Sequence, residues 1–168
     1  ECLDASRQAV GRCLILNSHT QFAAEGVAPM KPTTVITGAS RGIGYALAQI
    51  LQAEGHHVVG LARSAPATFP GSFIEVDLGD PVETRRAAEA VLREHGTVQH
   101  LVNNVGLVKA ARLEQVSLDD LDAVMNLNLK PALVLAQAFV PGMKAERYGR
   151  IVNVSSLVTL GMPERTSY

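Results

Sequence analysis

The chain has 168 residues, a length that suits one domain with a sizeable core. Hydrophobic residues make up 47% and charged residues 18%, a balance that is typical of globular proteins and argues against disorder. The formal net charge of -1 excludes a global positive field that would recruit nucleic acid or an anionic membrane. No apolar run approaches the roughly 18 residues that span a bilayer. Cys2 and Cys13 are too few and too close to the N-terminus for a disulfide framework, so a reduced, cytoplasmic setting is favoured.

The first 29 residues do not match the pattern of the rest of the chain. They show no sustained hydrophobic period, and no basic segment precedes a long apolar one as in a secretory signal. Met30 is followed almost at once by a predicted strand. We therefore expect residues 1–29 to be a non-native leader or an unstructured extension, and residues 30–168 to form one folded domain.

From Thr33 onward, predicted strands and helices alternate. Short β-branched or apolar runs predict five strands, at 33–37, 58–61, 73–76, 98–102 and 151–154. Amphipathic segments predict helices at 43–54, at 81–96 and from 118 towards 143, the last with a kink near Pro131. This alternation predicts an α/β fold, a Rossmann-like doubly wound parallel sheet with helices on both faces, which here ends after the fifth strand.

Local signals fix the helix ends and their packing faces. Ile43, Leu47, Ile50 and Leu51 are spaced to form the apolar face of the first helix. In the second helix, Asp80 is the expected N-cap and Pro81 the first helical residue, with Glu83 reaching back to complete a capping box. In the third, Ser117 is followed by an acidic residue three positions later, which is the same signal.

A glycine-rich turn connects the first strand to the first helix. In the segment Thr37–Gly44, which reads TGASRGIG, Gly38 permits a tight turn, Gly42 allows the backbone to approach a pyrophosphate, and Gly44 allows close packing of helix and strand. The free N–H groups at the helix start then face the phosphate charge. The spacing differs from the usual G-x-G-x-x-G, and no Gly-Lys-Ser/Thr follows, which excludes a phosphate loop of the ATPase kind. The turn therefore predicts a nucleotide site that includes Ser40, Arg41 and Ile43.

Several motifs in a fixed order resemble the short-chain dehydrogenase/reductase family of the classical type. The turn is similar to that family's TGxxxGxG element, and Asn103–Gly106 (NNVG) is similar to its NNAG element. Asn128, Ser156 and Tyr168 fall where the family carries its catalytic asparagine, serine and tyrosine. The resemblance implies an oxidoreductase, similar to 3-oxoacyl-carrier-protein reductases, that interconverts a carbonyl and a secondary alcohol by hydride transfer. It also implies a small-molecule substrate and a homo-oligomer for the full-length protein.

The resemblance also implies a role for each catalytic residue. Tyr168 would act as general acid/base, Ser156 would hold the substrate oxygen, and Asn128 would organise a water-linked proton path. Taken singly, each of these residues is as readily a strand cap, a surface aromatic or a helix residue bonded to backbone. The family's lysine, four residues after the tyrosine, falls beyond the sequence. We therefore expect the 168-residue chain to bind cofactor poorly and to catalyse little. A non-catalytic nucleotide-binding fragment or regulatory relative is the alternative.

The end of the second predicted strand bears on the choice of nicotinamide cofactor. An NAD site needs a carboxylate there to hold the ribose 2′-hydroxyl, and this sequence has Ala62 and Arg63 instead. A 2′-phosphate between Arg41 and Arg63 favours NADP(H), although both arginines could simply be solvated. By resemblance, Asp77 would bind the adenine amine, with a plain strand-end cap as its alternative. The remaining residues that the resemblance implies for the cofactor are Leu78, Asn104, Val105 and Gly106.

Four histidines are candidates for a metal site by their number alone. His56 and His57 are adjacent on a predicted strand and should point to opposite faces, so they are not expected to chelate one ion. We interpret both of them, together with His95 and His100, as structural or solvated residues.

Overall fold

In the computed structural model of this chain, the described residues are 31–156 and 166–167. The helices are α1 (Gly42–Ala53), α2 (Pro81–His95), α3 (Leu118–Asn128) and α4 (Lys130–Ala145), and a 3-10 turn covers Leu113–Gln115. The strands are β1 (Thr33–Thr37), β2 (His57–Ala62), β3 (Ser72–Glu75), β4 (His100–Asn103), β5 (Ala110–Ala111), β6 (Arg150–Asn153) and β7 (Thr166–Ser167). The expected leader at residues 1–29 lies outside the described residues.

A five-stranded sheet in the order β3-β2-β1-β4-β6 forms the centre of the fold. Each neighbouring pair of strands is parallel. The predicted Rossmann-like parallel sheet is therefore confirmed, with strand ends that differ from the prediction by one or two residues. A second, two-stranded sheet, which the sequence did not indicate, pairs β5 with β7 in antiparallel fashion.

The sheet is buried on both faces because consecutive side chains of a strand point in opposite directions. Val35 and Leu101 belong to the larger core, whereas their neighbours Ile36 and Val102 belong to the smaller one. The larger core is completed by side chains from α2 and α4, namely Ala87, Ala88, Val91, Leu135, Phe139 and Met143. The smaller core is covered by α1, so helices lie on both faces as predicted.

The packing face of α1 differs from the one that the sequence predicted. Ile43 and Ile50 are exposed to 67% and 56%, whereas Gly44 and Ala48 are fully or almost fully buried. Leu47 and Leu51 pack against the smaller core, as expected. A Cβ on Gly44 would lie 2.5 Å from the carbonyl oxygen of Gly38, so the start of α1 is too close to the turn for a larger residue.

The start of α2 confirms one part of the predicted capping box and corrects another. The Asp80 Oδ1 atom accepts hydrogen bonds from the N–H of Val82 (2.7 Å) and of Glu83 (3.3 Å). The Glu83 carboxylate does not return to the N-cap residue. It accepts instead from the backbone N–H of Asp77, at 3.1 Å, and so ties the end of β3 to the helix.

The predicted long third helix is two helices, with the break at Leu129 and Pro131 in the first turn of α4. Together, Leu118–Ala145 is long and apolar enough to cross a membrane by length and composition only, because one 18-residue stretch within it has a mean hydropathy of 1.3. A core helix of a water-soluble domain has the same character, and α4 buries Leu135 and Phe139 completely.

Histidines cluster at the edge of the sheet formed by the amino ends of the strands. The Thr34 Oγ1 atom lies 2.8 Å from Nδ1 of His56 and 3.3 Å from Nδ1 of His100. The His57 Nε2 atom lies 2.9 Å from Nδ1 of His95. The adjacent His56 and His57 thus have different partners. Within residues 31–156 and 166–167, no three metal-ligating side chains are grouped closely enough to hold an ion.

Acid is expected to destabilise the fold through His100. Burial, followed by the charges of His56 and Arg150, lowers the pKa of His100 from 6.5 to about 4. Between these values the unfolded chain binds more protons than the folded one, so stability is complete above pH 6.5 and falls as the pH drops. The full pKa shift would lower the free energy of unfolding by about 2 kcal/mol between pH 7 and pH 5. We expect roughly half of this loss because the His100 ring is partly exposed.

Urea unfolding of the wild-type chain and of H100Q at pH 7 and pH 5 measures this effect. Between pH 7 and pH 5, the free energy of unfolding of H100Q should fall by about 1 kcal/mol less than that of the wild type. The same loss in both proteins would contradict the assignment to His100.

Candidate functional site

The chain leaves the carboxyl ends of the neighbouring strands β1 and β4 in different directions, because the helices that follow them lie on opposite faces of the sheet. In open α/β sheets such a switch point leaves a crevice where ligands bind. A cleft of about 580 Å³ lies there. It is lined by residues from the ends of β1, β2, β3 and β4, including Gly38, Ser40, Arg41, Gly42, Arg63, Asp77, Leu78, Asn104, Val105 and Gly106.

The glycines of the turn are required by its backbone geometry. Gly38 and Gly42 have φ values of 66° and 60°, a left-handed conformation that side chains with a Cβ rarely adopt. A Cβ on Gly38 would lie 3.0 Å from the Cα of Val105, so the turn and the segment after β4 are in close contact. A Cβ on Gly44 would lie 2.5 Å from the carbonyl oxygen of Gly38. Gly44 therefore packs against the backbone of the turn and does not line the cleft.

Thr37 is the residue that joins the two sides of the switch point, and sequence reasoning did not include it among the site residues. Its side chain is fully buried, and its Oγ1 accepts from the N–H of Asn104 (2.9 Å) and of Val105 (3.0 Å). The Asn104 side-chain nitrogen returns two bonds, to the carbonyl oxygens of Thr37 (3.0 Å) and Gly38 (3.3 Å). A buried threonine at a strand end directly before the first glycine was the available signal.

The charged side chains of the cleft are unevenly distributed. Arg41 and Arg63 are exposed, and neither forms an ion pair within the described part of the chain. The Asp77 Oδ1 atom accepts a hydrogen bond from the N–H of Gly79 at 2.9 Å. This bond is the strand-end cap that was the alternative to adenine binding for Asp77. Two cations without anionic partners, beside the unsatisfied N–H groups at the start of α1, give this end of the cleft the character of an anion site.

A second and larger cleft, of about 1000 Å³, adjoins the first. Asn128 and Ser156 both line it, and so does Ile43, which the sequence assigned to the nucleotide site. The residues that both clefts share are Asn104, Val105 and Gly106. The structure therefore brings two of the three predicted catalytic residues to one cavity beside the first cleft. Tyr168 lies outside the described residues.

Asn128, at the end of α3, holds the segment that separates the two clefts. Its Oδ1 accepts from the N–H of Leu107 at 2.7 Å, and its Nδ2 donates to the carbonyl oxygen of the same residue at 2.9 Å. Both backbone groups of Leu107 are thus paired with one side chain. Asn103, at the end of β4, is similarly bonded across the sheet to the side chain of Asn153 at 2.8 Å. These amides fix the shape of the shared wall.

The sheet order and a glycine turn at its switch point define a Rossmann-like α/β domain of the nucleotide-binding class. A family model described as short chain dehydrogenase matches residues 32–168. The chain belongs to this family, whose members bind nicotinamide cofactors.

Two curated relatives illustrate the similarity. The chain is 33% identical over 143 residues to 3-ketodihydrosphingosine reductase from Bacteroides thetaiotaomicron, covering 83% of this chain and 53% of that protein. It is 35% identical over 147 residues to the 3-oxoacyl-[acyl-carrier-protein] reductase FabG from Thermotoga maritima, covering 80% and 59%. The chain spans little more than half the length of these relatives. Both are reductases, as the resemblance implied.

Solved structures agree with the fold. A metagenomic short-chain oxidoreductase in complex with NADP superposes with a TM-score of 0.70 at 34% identity, covering 76% of this chain and 63% of that one. The ligand-free aldohexose dehydrogenase of Thermoplasma acidophilum gives a TM-score of 0.71 at 29% identity, covering 75% and 49%.

Proposed function

We propose that this protein is an NADP(H)-dependent oxidoreductase that interconverts a carbonyl and a secondary alcohol of a small molecule. One observation carries the cofactor assignment. Arg41 and Arg63 line the same cleft, and the end of β2 contributes Ala62 beside them instead of a carboxylate. A 2′-phosphate would accept charge-assisted hydrogen bonds from both guanidinium groups, whereas a free ribose hydroxyl would leave them without an anion.

The cleft residues fit the rest of such a cofactor. Gly38 and Gly42 line the cleft without side chains, so the backbone at the start of α1 could approach a pyrophosphate, which its N–H groups would hold. Asp77 and Leu78 line the end expected for the adenine. Asn104, Val105 and Gly106 form the wall shared with the second cleft, so the reactive ring would lie between the two. The bound cofactor would supply or accept the hydride.

The protein's own contribution would be to hold the substrate oxygen and to move a proton to or from it. Ser156 lines the second cleft, and we assign to it a hydrogen bond to that oxygen. We assign the proton transfer to Tyr168, whose phenol requires nearby positive charge for efficient transfer near neutral pH. Asn128 would connect this proton to water, and its two bonds to Leu107 would hold it in place.

The named relatives support the direction and the substrate class. The two described above are reductases of carbonyl compounds by name, and one structural neighbour was solved with NADP. We propose the same class of reaction here, in a cytoplasmic homo-oligomer.

Removing either arginine is expected to change cofactor preference. In R41A and in R63A, the Kd for NADPH should rise about tenfold or more, because each phosphate contact contributes roughly 1.5–3 kcal/mol. The Kd for NADH should change less than about threefold, since NADH has no 2′-phosphate. Isothermal titration calorimetry with both cofactors measures this. An equal loss for NADPH and NADH, or a wild-type preference for NADH, would overturn the assignment.

R86A is the matched control, because Arg86 is an exposed arginine of α2 outside both clefts. Its cofactor affinities should equal those of the wild type. NADPH oxidation with a panel of ketones, by a protein that includes the lysine the family carries four residues after Tyr168, then tests the reaction itself. Saturating cofactor without turnover would favour the alternative of a non-catalytic nucleotide-binding protein.

A further inference from the structure

The segment that follows β2 is fixed by a carboxylate from the neighbouring strand. Glu75, the last residue of β3, lies beside Ala62 in the sheet register. Its Oε1 atom accepts a hydrogen bond from the backbone N–H of Ala65 at 2.8 Å. This bond reaches past the end of β2 and holds the backbone two residues after Arg63. The backbone that carries the Arg63 side chain is thereby restrained on its C-terminal side.

The same segment is held a second time by aromatic packing. Gly60 leaves a space in β2 that the ring of Phe69 occupies, since a Cβ on Gly60 would lie 2.6 Å from that ring. Phe69 also packs edge-on against Phe73 of β3, with ring centroids 5.0 Å apart. The residues from Arg63 to Pro66, which follow β2 and precede Phe69, line the nucleotide cleft. Glu75 itself does not line it.

We propose that Glu75 is a positioning residue that sets the preference for the phosphorylated cofactor by holding the Arg63–Pro66 backbone through the Ala65 N–H. This inference rests on the proposed function, because it assigns Glu75 to the 2′-phosphate end of that site. Glu75 forms no ion pair with Arg63 within the described residues, so it acts on the backbone and leaves the guanidinium available to the ligand.

The charge of Glu75 and its hydrogen bond have opposite effects on an anionic ligand. A carboxylate near a phosphate repels it, whereas a backbone that is already ordered reduces the entropy lost when the ligand binds. E75Q retains an acceptor oxygen of the same reach and removes the charge. E75A removes both. These two variants therefore separate the contribution of position from that of charge.

Calorimetric titration of the full chain with NADPH and with NADH tests the proposal. In E75A, the Kd for NADPH should rise about five- to tenfold and the Kd for NADH less than twofold, as expected for one lost hydrogen bond. E75Q should stay within about twofold of the wild type for both cofactors. E89A, which removes an exposed glutamate of α2, should match the wild type.

Three results would overturn the inference. An equal loss of NADPH and NADH affinity in E75A would indicate a merely structural role. Tighter NADPH binding in E75A would show that charge repulsion by Glu75 outweighs the restraint. Unchanged affinities in E75A would show that the restraint has no effect on the site.

A cofactor-independent measurement separates this inference from the proposed function. In amide NMR spectra of the free protein, the Ala65 proton should move upfield in E75A, because it loses a carboxylate acceptor, and should move little in E89A. An unshifted Ala65 resonance would refute the restraint itself. If Ala65 responds as expected and the wild type nevertheless prefers NADH, then the NADP(H) assignment fails while the restraint stands.

Discussion

Replacement of Thr37 by valine is expected to lower the free energy of unfolding by about 2–4 kcal/mol, because two backbone N–H groups lose their acceptor. The Thr37 side chain is completely buried, and valine has nearly the same shape, so the packing changes little. The N–H groups of Asn104 and Val105, which both donate to Thr37 Oγ1, would be left without a protein partner. Urea unfolding monitored by circular dichroism measures the loss.

Thr37→Ser is the control, because serine keeps the acceptor oxygen and removes only a methyl group. We expect it to cost about 1 kcal/mol, from the small cavity left behind. Affinity for NADPH should follow the same order, with T37V much weaker than T37S, since the two N–H groups belong to the wall of both clefts. If T37V and T37S were equally stable, the hydroxyl would not be the element that joins the two sides.

Gly44→Ala is expected to destabilise the fold by about 1–3 kcal/mol through overpacking. The added Cβ would lie 2.5 Å from the Gly38 carbonyl oxygen and 2.7 Å from the Asn104 side-chain nitrogen, so the turn or the helix must move. Alanine normally favours a helix over glycine by about 1 kcal/mol, so a net loss would identify the steric contact as its cause. A shift of the turn by a few tenths of an ångström should also raise the Kd for NADPH.

Ala46→Ser adds one heavy atom to the same helix at an exposed position. Its effect should stay within about 0.5 kcal/mol, and its affinity for NADPH should be unchanged. Thermal unfolding of the two variants with and without NADPH compares them directly. A Gly44→Ala protein as stable as the wild type would mean that α1 can move away from the Gly38 carbonyl oxygen and the Asn104 side chain without cost.

The sequence was sufficient for the fold because β1 and its neighbours carry a strong and simple signal. A run such as Thr33–Thr37 is β-branched or apolar throughout, which only a strand buried on both faces requires. The glycine turn then placed the cleft, and ten predicted residues do line it. The predicted buried face of α1 was partly wrong because hydrophobic periodicity assigns the large apolar residues Ile43 and Ile50 to it. The close contact with the turn after β1 instead requires the small Gly44, and the smaller core buries Ala48.

Side-chain partners were harder to predict than elements, because they depend on contacts between distant parts of the chain. Thr37 and Asn104 are 67 positions apart, and nothing local marks them as partners. Asn128 was predicted from its place in a family pattern. Its two hydrogen bonds to the backbone of Leu107, however, follow only from where α3 ends. Similarly, Glu83 bonds to Asp77 rather than to its own N-cap, since β3 ends beside the start of α2.

The walls of the first cleft come from the ends of four strands, so the site exists only when these strands are assembled in the sheet. A ligand that binds there binds the folded state and has nothing comparable to bind in the unfolded one. Its concentration therefore enters the folding equilibrium directly, with a gain of about 2.7 kcal/mol at one hundred times Kd. For this protein the nucleotide pool would act as a thermodynamic stabiliser, so that its resistance to proteolysis and heat would rise and fall with the supply of cofactor.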